Sequence, residues 1–275
     1  MDGNRLPFPQ EILDFYAQAI DEDARLKQGL GLLELPRVRA LIERFIPPPP
    51  AVICDVGGGT GVHAFWLAGL GYAVHLLDIV PRHIELARQA AAAPGAPQLA
   101  SMQVGDARQL HYPDQCADAV LLFGPLYHLI ERQERLAAIA EAWRVLRPGG
   151  VLLAYALSRY ASTIYGLRNG FVWDSAYLGM ITQELSNGQH RQPPDWKVLT
   201  TAFFHHPEEL KAELEEAGMI HEGTYGIQGP GWLVPEFEQS MQDEERLGIL
   251  LEIANRVEME PVLSPHMLAV ARREE

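Results

Sequence analysis

The chain places a glycine-dense turn directly after an apolar run, in the segment Val52-Ile53-Cys54-Asp55-Val56-Gly57-Gly58-Gly59-Thr60-Gly61. The apolar run has the length of a buried strand, and a helical pattern begins directly after the turn, at Val62. Glycines allow a tight turn, positive φ angles and a close approach of the backbone to a ligand, since no Cβ intervenes. The segment therefore predicts a strand, a ligand-binding loop and the start of a helix.

Short apolar runs and helical patterns alternate from this segment onward. The apolar runs predict strands at 51–56, 73–77, 99–104, 117–123 and 151–156. Helical patterns lie between them, at 62–70, 81–93 and 131–146. Strands that alternate with helices are typical of a parallel sheet covered on both faces. We therefore predict an α/β fold with a doubly wound, mostly parallel, Rossmann-like sheet.

The regions on either side of the alternating segment predict a lid, a cap and a last part of the sheet. Amphipathic patterns at 10–28 and 36–45 predict a helical N-terminal lid, which the four prolines at 47–50 end. Regular alternation then stops between 158 and 205, and so long an irregular segment in a compact domain indicates an inserted cap. The last patterns predict two helices and a strand, at 206–217, 242–259 and 266–271. The predicted units are the lid 1–46, the cofactor-binding core 51–157, the cap 158–205 and a C-terminal part of the core sheet, 206–275.

Two acidic residues follow the next two predicted strands. Asp78 comes about twenty residues after the glycine loop, where a carboxylate grips a ribose diol in nucleotide-binding folds. Its alternative role is to cap the helix that begins near Pro81. Asp106, in Gly105-Asp106-Ala107, suits the exocyclic amine of an adenine, while the next backbone amide donates to the ring. Taken alone, Asp106 is typical of a solvated turn residue. The glycine loop and the two acids together favour a nucleoside-binding site.

The spacing of the glycines distinguishes between nucleotide cofactors. A dinucleotide fingerprint requires a glycine at the position of Val62, whereas the glycines stand at 57, 59 and 61. A phosphate-binding loop requires lysine and then serine or threonine after its last glycine, and Val62-His63 stands there. An NAD(P)-dependent oxidoreductase is therefore a disfavoured alternative.

Five motifs follow one another in the order of a known enzyme family. The glycine segment matches the first motif, Asp78 the acidic end of the second strand, and Gly105-Asp106-Ala107 the adenine motif. Residues 117–129, with the loop Gly124-Pro125-Leu126-Tyr127-His128, match the fourth strand, and residues 143–150 match the turn before the fifth. Over residues 51–157 the chain thus resembles the class I S-adenosylmethionine-dependent methyltransferases. Its fourth loop is similar to that of small-molecule enzymes and departs from the Asp/Asn-Pro-Pro-Tyr signature of enzymes that modify nucleic-acid amines.

The resemblance implies S-adenosyl-L-methionine as cofactor and a seven-stranded sheet whose last strand, near 266–271, runs antiparallel to its neighbour. The glycine loop would hold the methionine portion, and the end of the fourth strand would lie close to the sulfonium. The implied cofactor-binding residues are Asp55, Gly57, Gly58, Gly59, Thr60, Gly61, Asp78, Ile79, Gly105, Asp106, Ala107, Phe123 and Gly124. From the lid, Tyr16 and Arg25 are expected to close over the cofactor, with Arg25 pairing with its carboxylate. A solvated helix face is the alternative for both.

Methyl transfer from a sulfonium needs chiefly an aligned acceptor and the exclusion of water. A hydroxyl or carbon acceptor also needs a general base, and His128 is the candidate because its ordinary pKa lies near working pH. Orientation of its loop is the alternative role, and Tyr127 is expected to shape the pocket. No companion ligands accompany His205-His206, so no metal is predicted. The expected acceptor-pocket residues, each with packing of the cap as its alternative, are Arg159, Tyr160, Trp173, Tyr177, His205 and Trp232.

Charge and hydropathy limit the partners. The formal charge is −14, and the basic residues are scattered, so the basic face that nucleic acids require is not predicted. No run approaches the roughly 20 apolar residues of a membrane helix, and the N-terminus does not resemble a leader. We predict a cytoplasmic enzyme with a small-molecule methyl acceptor, no nucleic-acid partner and no membrane contact. A non-catalytic cofactor-binding module is the remaining alternative, and the sequence indicates no oligomeric state.

Overall fold

Helices and strands alternate along the chain in a computed structural model that describes residues 8, 10–18, 22–193 and 200–275. The strands are β1 (Val52–Val56), β2 (Ala73–Asp78), β3 (Ser101–Val104), β4 (Ala117–Leu122), β5 (Leu146–Ser158), β6 (Gln189–His190), β7 (Ala202–His205), β8 (Met219–Gly226) and β9 (His266–Arg273). The helices are α1 (Gln10–Gln18), α2 (Glu22–Arg25), α3 (Gly31–Phe45), α4 (Val62–Gly69), α5 (Pro81–Ala91), α6 (Pro125–His128), α7 (Arg132–Val145), α8 (Ala161–Asn169), α9 (Ser175–Asn187), α10 (Pro207–Glu216), α11 (Phe237–Ser240) and α12 (Glu244–Arg256).

Seven of the strands form a continuous sheet in the order β3-β2-β1-β4-β5-β9-β8. The strands β1 to β5 are parallel, and β9 runs antiparallel between β5 and β8. The predicted mostly parallel sheet is thus confirmed. Two further strands come from the cap: β7 pairs with β5 only at Leu157–Phe204 and Ser158–His205, and β6 lies antiparallel beside β7. The cap is therefore joined to the carboxyl end of β5.

Apolar residues cover both faces of the sheet, because successive side chains of a strand point to opposite faces. Helices α7 and α10 pack on one face, over a cluster that includes Val56 and Leu152. Helices α3, α4 and α5 pack on the other, over a cluster that includes Ile53 and Leu153. All four strand residues are fully buried. This packing leaves the loops at the carboxyl ends of the strands to form a site.

Helix α3 begins earlier than predicted. It starts at Gly31, upstream of the predicted start at residue 36, and Pro36 lies inside it. A proline there removes a helical hydrogen bond. Leu33 and Leu41, on either side of the proline, are completely buried, so packing holds the helix together across Pro36.

The lid and the cap are more regular than the sequence indicated. The predicted helix 10–28 comprises α1 and α2, with residues 19–21 outside the described residues. The cap contains α8, α9, β6 and β7, and Trp196 lies outside the described residues. The Asp174 carboxylate caps α9 by accepting from the amides of Ala176 and Tyr177, both at 2.9 Å. A capping aspartate can be read from the sequence. The apolar residues of this segment are unevenly spaced, however, so the helix that begins at Ser175 was not predicted.

Candidate active site

A cavity of about 540 Å³ lies at the carboxyl ends of β1, β2, β4 and β5. Its wall combines core loops with residues of the lid, the cap and the start of β9. Its volume is within the range of sites that bind small ligands. The predicted site residues that line it are Tyr16, Arg25, Gly57, Gly58, Gly59, Thr60, Asp78, Ile79, Gly105, Asp106, Ala107, Phe123, Gly124, Tyr127, His128, Tyr177 and Trp232.

Gly57 is a position of the glycine loop that no other residue fits. Gly57 has a φ of 80°, and a Cβ there would lie 2.2 Å from the carbonyl oxygen of Phe123 and 2.5 Å from Cδ of Pro125. The Gly57 amide donates to the carbonyl of Leu77 at 2.8 Å, which ties the loop to β2. The loop backbone therefore forms the cavity surface directly.

Asp55 lies beneath the loop, which corrects its predicted contact with the cofactor. The side chain is completely buried, and its Cγ is 2.5 Å from where a Cβ on Gly58 would stand. Burial, reinforced by the charge of Asp78, raises the pKa of Asp55 to about 7. Gly61 does not line the cavity either: its φ of 94° ends the turn, and it faces Phe65. Both residues shape the loop from the protein side.

Asp78 links the glycine loop to the start of α5. Its Oδ2 accepts from the amide of Gly59 at 2.9 Å, and its Oδ1 accepts from the amide of Val80 at 2.8 Å. Oδ1 also lies 3.1 Å from Nδ1 of His83. A carboxylate has about four lone-pair sites, so Asp78 still has acceptor capacity on the cavity wall.

Asp106 is oriented by an ion pair. Its carboxylate accepts from Nε of Arg108 at 3.0 Å and from Nη2 at 2.6 Å, while Oδ1 accepts from the Arg108 amide at 2.8 Å. Arg108 also contacts Glu134 on α7. A bidentate pair of this kind holds a carboxylate in a fixed geometry. Asp106 is therefore held in place on the cavity wall, with its side chain 30% exposed.

His128 is buried beside the lid. Its Nε2 lies 2.8 Å from the hydroxyl of Tyr16, and the two rings meet edge to face. Burial lowers the pKa of His128 to about 4, so the imidazole is neutral at neutral pH. A general base works best when its pKa is near the pH of the reaction, so this environment favours the orienting role. Tyr127 lies on the cavity wall, with its ring centroid 4.5 Å from that of His128.

Arg25 pairs with an acid of the protein, where a pairing with the cofactor was predicted. Its guanidinium donates to both oxygens of Glu34, at 2.8 and 2.9 Å. Glu34 also accepts from the hydroxyl of Tyr155 at 3.0 Å. Burial raises the pKa of Glu34, but the hydrogen bond from Arg25, the charges of His266 and Arg25, and the Tyr155 hydroxyl outweigh it and lower the pKa to about 2. The charge of Arg25 is thus balanced within the wall.

His266, at the start of β9, completes this part of the wall. Its Nδ1 lies 2.5 Å from Nε2 of Gln228 and 3.6 Å from Glu34. Burial lowers the pKa of His266 to about 4, so at neutral pH the ring is neutral, and it carries the charge that lowers the pKa of Glu34 only in acid. The Gln228 amide then donates to Nδ1.

Arg159 and His205 do not line the cavity, which corrects their predicted place in the acceptor pocket. Arg159 is buried and contacts the carboxylate of Glu209. His205 is completely buried, with its Nε2 3.3 Å from Glu213. Both side chains therefore hold the cap on the core, which was the alternative role.

Trp173 and Tyr160 are also outside the cavity. Trp173 is 89% exposed, and Tyr160 packs edge to face against His206. Tyr177 and Trp232, in contrast, are buried on the cavity wall. Tyr177 comes from α9, and Trp232 lies between β8 and α11.

Several cavity residues were not predicted, because they come from segments that are distant in sequence. They are Glu34, His63, His83, Tyr155, Tyr165, Met180, His190, Phe204 and His266. His63 and His83 had a usable signal, since they stand two residues after Gly61 and five residues after Asp78. Burial lowers the pKa of His63 to about 4, and its buried Nδ1 has no hydrogen-bond partner within the described part of the chain.

The cavity fits an adenosyl cofactor that carries an amino acid. Bare backbone at Gly57 permits close approach, Asp78 and Asp106 offer acceptors at two further points, and His63 offers a polar atom without a protein partner. Over the described ranges, no group of three or more His, Cys, Asp or Glu side chains could hold a metal ion. Nor is any helix in those ranges long and apolar enough to cross a membrane.

Comparisons with known proteins point to one family. Residues 54–154 match the methyltransferase domain. A demethylmenaquinone methyltransferase of Deinococcus radiodurans is 36% identical over 131 residues, which are 46% of this chain and 52% of that protein. A probable tRNA methyltransferase 9B of Bos taurus is 33% identical over 122 residues, 44% of this chain and 24% of that protein. The chain thus spans about half the length of the first relative and a quarter of the second.

The fold of a solved structure agrees with these matches. The S-adenosylmethionine-dependent methyltransferase of Methanosarcina mazei superposes with a TM-score of 0.60 at 20% identity, over 85% of this chain and 97% of that one. At that identity the likeness shows the fold alone. Together with the domain match, it shows that residues 54–154 carry a methyltransferase domain, within a fold like that of an S-adenosylmethionine-dependent methyltransferase.

Proposed function

We propose that this chain transfers a methyl group from S-adenosylmethionine to a small-molecule acceptor. The observation that carries the proposal is that one cavity joins the glycine loop to an aromatic wall, formed by Tyr165, Tyr177, Phe204 and Trp232. Aromatic side chains around a cavity of this volume are typical of sites for small, partly apolar molecules.

The residues of the chain would position the cofactor and the acceptor and would exclude water. The cofactor, when bound, brings a methyl group activated by its positive sulfur. Tyr16 and Arg25 would cover the cofactor and keep water from the reacting atoms. The residues that would hold it, from methionine to adenine, are Gly57 and Gly59, then Asp78, then Asp106 with Ala107.

Charge favours a small acceptor over tRNA. The net charge of −14 would repel a polyanion over most of the surface, and the relative named for tRNA is matched over only 24% of its length. The relative named for demethylmenaquinone acts on a small molecule, and this chain matches 52% of its length. Both cysteines of the chain are free thiols, which agrees with the cytoplasmic location that we propose.

Calorimetric titration tests the proposal. We expect S-adenosylmethionine and its demethylated product, S-adenosylhomocysteine, to bind, and NAD not to bind. A screen of methyl acceptors with labelled S-adenosylmethionine then tests transfer. Binding of NAD in place of the sulfonium compound would contradict the proposal, and binding without transfer to any acceptor would favour a non-catalytic module.

A further inference from the structure

Glu184 on α9 and His190 on β6 form a buried pair in the cap. Oε1 of Glu184 lies 2.5 Å from Nδ1 of His190, and the two residues are 0% and 5% exposed. His190 lines the cavity, and its ring stacks on Phe204 at an interplanar angle of 4°, with centroids 5.1 Å apart. The carboxylate and the stacked ring therefore hold the imidazole in one orientation.

The other nitrogen of His190 has no protein partner. Nε2 is buried and makes no hydrogen bond within the described ranges. If Glu184 is ionised and His190 is neutral, the proton that they share is on Nδ1, and Nε2 keeps its lone pair. Buried polar atoms normally have a hydrogen-bond partner. A ligand with a hydrogen to donate is the fitting partner for Nε2.

The other histidines of the cavity have different surroundings. In the part of the chain that the structure describes, His190 is the one cavity histidine that has a buried acid at one ring nitrogen and a buried nitrogen without a hydrogen-bond partner at the other. Their neighbours are Tyr16 for His128, Asp78 for His83, Gln228 for His266 and Phe123 for His63.

Other aromatic rings line the same cavity as His190. Tyr165 and Trp232 stack at an interplanar angle of 21°, with centroids 6.4 Å apart, and both line the cavity. Nε1 of Trp232 is a donor that is buried and, among the described residues, has no partner. His190 and Trp232 thus add an acceptor and a donor to a wall with aromatic faces, which suits a planar ring with a hydroxyl group.

We propose that the acceptor is a hydroxylated aromatic molecule, that His190 is the general base for its hydroxyl, and that Glu184 is the positioning residue. The proposal rests on the proposed methyl transfer. The hydroxyl oxygen bonds to the methyl carbon as the bond from that carbon to sulfur breaks, and the bonding pair stays on sulfur. The hydroxyl proton moves to Nε2 of His190, and the carboxylate of Glu184 balances the imidazolium charge.

The tautomer of His190 tests this assignment without an acceptor. Long-range ¹H–¹⁵N spectra of the protein saturated with S-adenosylhomocysteine, assigned with His190→Gln, report which nitrogen carries the proton. We expect the proton on Nδ1. In Glu184→Gln the side-chain amide can donate to Nδ1, so the proton should move to Nε2. A proton on Nε2 in the unmodified protein would overturn the proposal.

Methyl transfer to phenols of different acidity tests the chemistry. The probes are phenol and 4-nitrophenol, because the second ionises more readily and depends less on a base. His190→Phe keeps a ring on Phe204, and we expect it to lower kcat with phenol by about 100-fold or more, but much less with 4-nitrophenol. His111→Ala, an exposed residue outside the cavity, is the control and should leave both rates unchanged.

Calorimetry with S-adenosylhomocysteine separates this proposal from the proposed function. Unchanged affinity in His190→Phe, together with the unequal losses of rate, supports the general base. Equal losses with the two phenols, or no loss, would overturn it. A wild-type protein that binds S-adenosylhomocysteine but methylates neither phenol overturns the acceptor class alone. A wild-type protein that does not bind it overturns the proposed function itself.

Discussion

Replacing Gly57 by alanine should destabilise both the fold and the cofactor site. With a φ of 80°, the new residue would occupy the left-handed region, at a cost of about 1–2 kcal/mol. Its Cβ would also stand 2.2 Å from the carbonyl oxygen of Phe123 and 2.5 Å from Cδ of Pro125. Relieving such an overlap costs about 1–3 kcal/mol in packed interiors, so we expect a total loss of about 2–5 kcal/mol.

Gly95→Ala is the matched control, because Gly95 has a φ of 78° and nothing lies within 4 Å of a Cβ there. This variant should lose only the conformational part, about 1–2 kcal/mol. Urea unfolding followed by circular dichroism measures both losses, and calorimetry measures the affinity for S-adenosylhomocysteine. Only Gly57→Ala should bind more weakly, since only Gly57 lines the cavity. Equal stability losses and equal affinities in the two variants would refute the reasoning.

Three further predictions concern polar contacts of the cavity. Asp78→Ala removes the acceptor for two loop amides and should weaken S-adenosylhomocysteine binding by about 1–3 kcal/mol in calorimetry; unchanged affinity would exclude the ribose role. Tyr16→Phe keeps the ring but loses the contact with His128, and should raise the Kd by up to about tenfold in the same assay, whereas an unchanged Kd would show that the contact does not hold the lid. The pKa of Glu34, about 2, lies below its ordinary 4.5, so its contribution to stability is present above pH 4.5 and is lost as the pH falls towards 2. Urea unfolding of wild type and Glu34→Gln should therefore differ most near neutrality and converge in acid; a constant difference would contradict this.

The cofactor side of the site could be predicted because its parts are local in sequence. The glycine loop, Asp78 and Asp106 each follow a strand, and the carboxyl ends of parallel strands meet at one edge of the sheet. Asp55 belongs to the same segment, yet strand geometry turns its side chain beneath the loop. A motif identifies such a residue, but the direction of its side chain depends on packing.

The rest of the cavity wall could not be predicted, because its residues converge only in the folded protein. Tyr155, His190 and His266 come from the end of β5, from β6 and from the start of β9. No spacing in the sequence relates them. Trp173 had the residue type of a pocket wall, but it lies in solvent, because residue type alone does not determine which face of a cap segment is buried.

The position of β9 also bears on the order in which the chain becomes organised during synthesis. Its pairing of Leu152 with Ala271 joins distant parts of the chain, and contacts of long sequence separation form late because loop closure must precede them. Among the described strands, β8 pairs only with β9, so the sheet has no bridge between β5 and β8 until β9 docks. A nascent chain that lacks residues 266–273 would therefore have the glycine loop but neither His266 in the cavity wall nor the strand that holds β8 in the sheet.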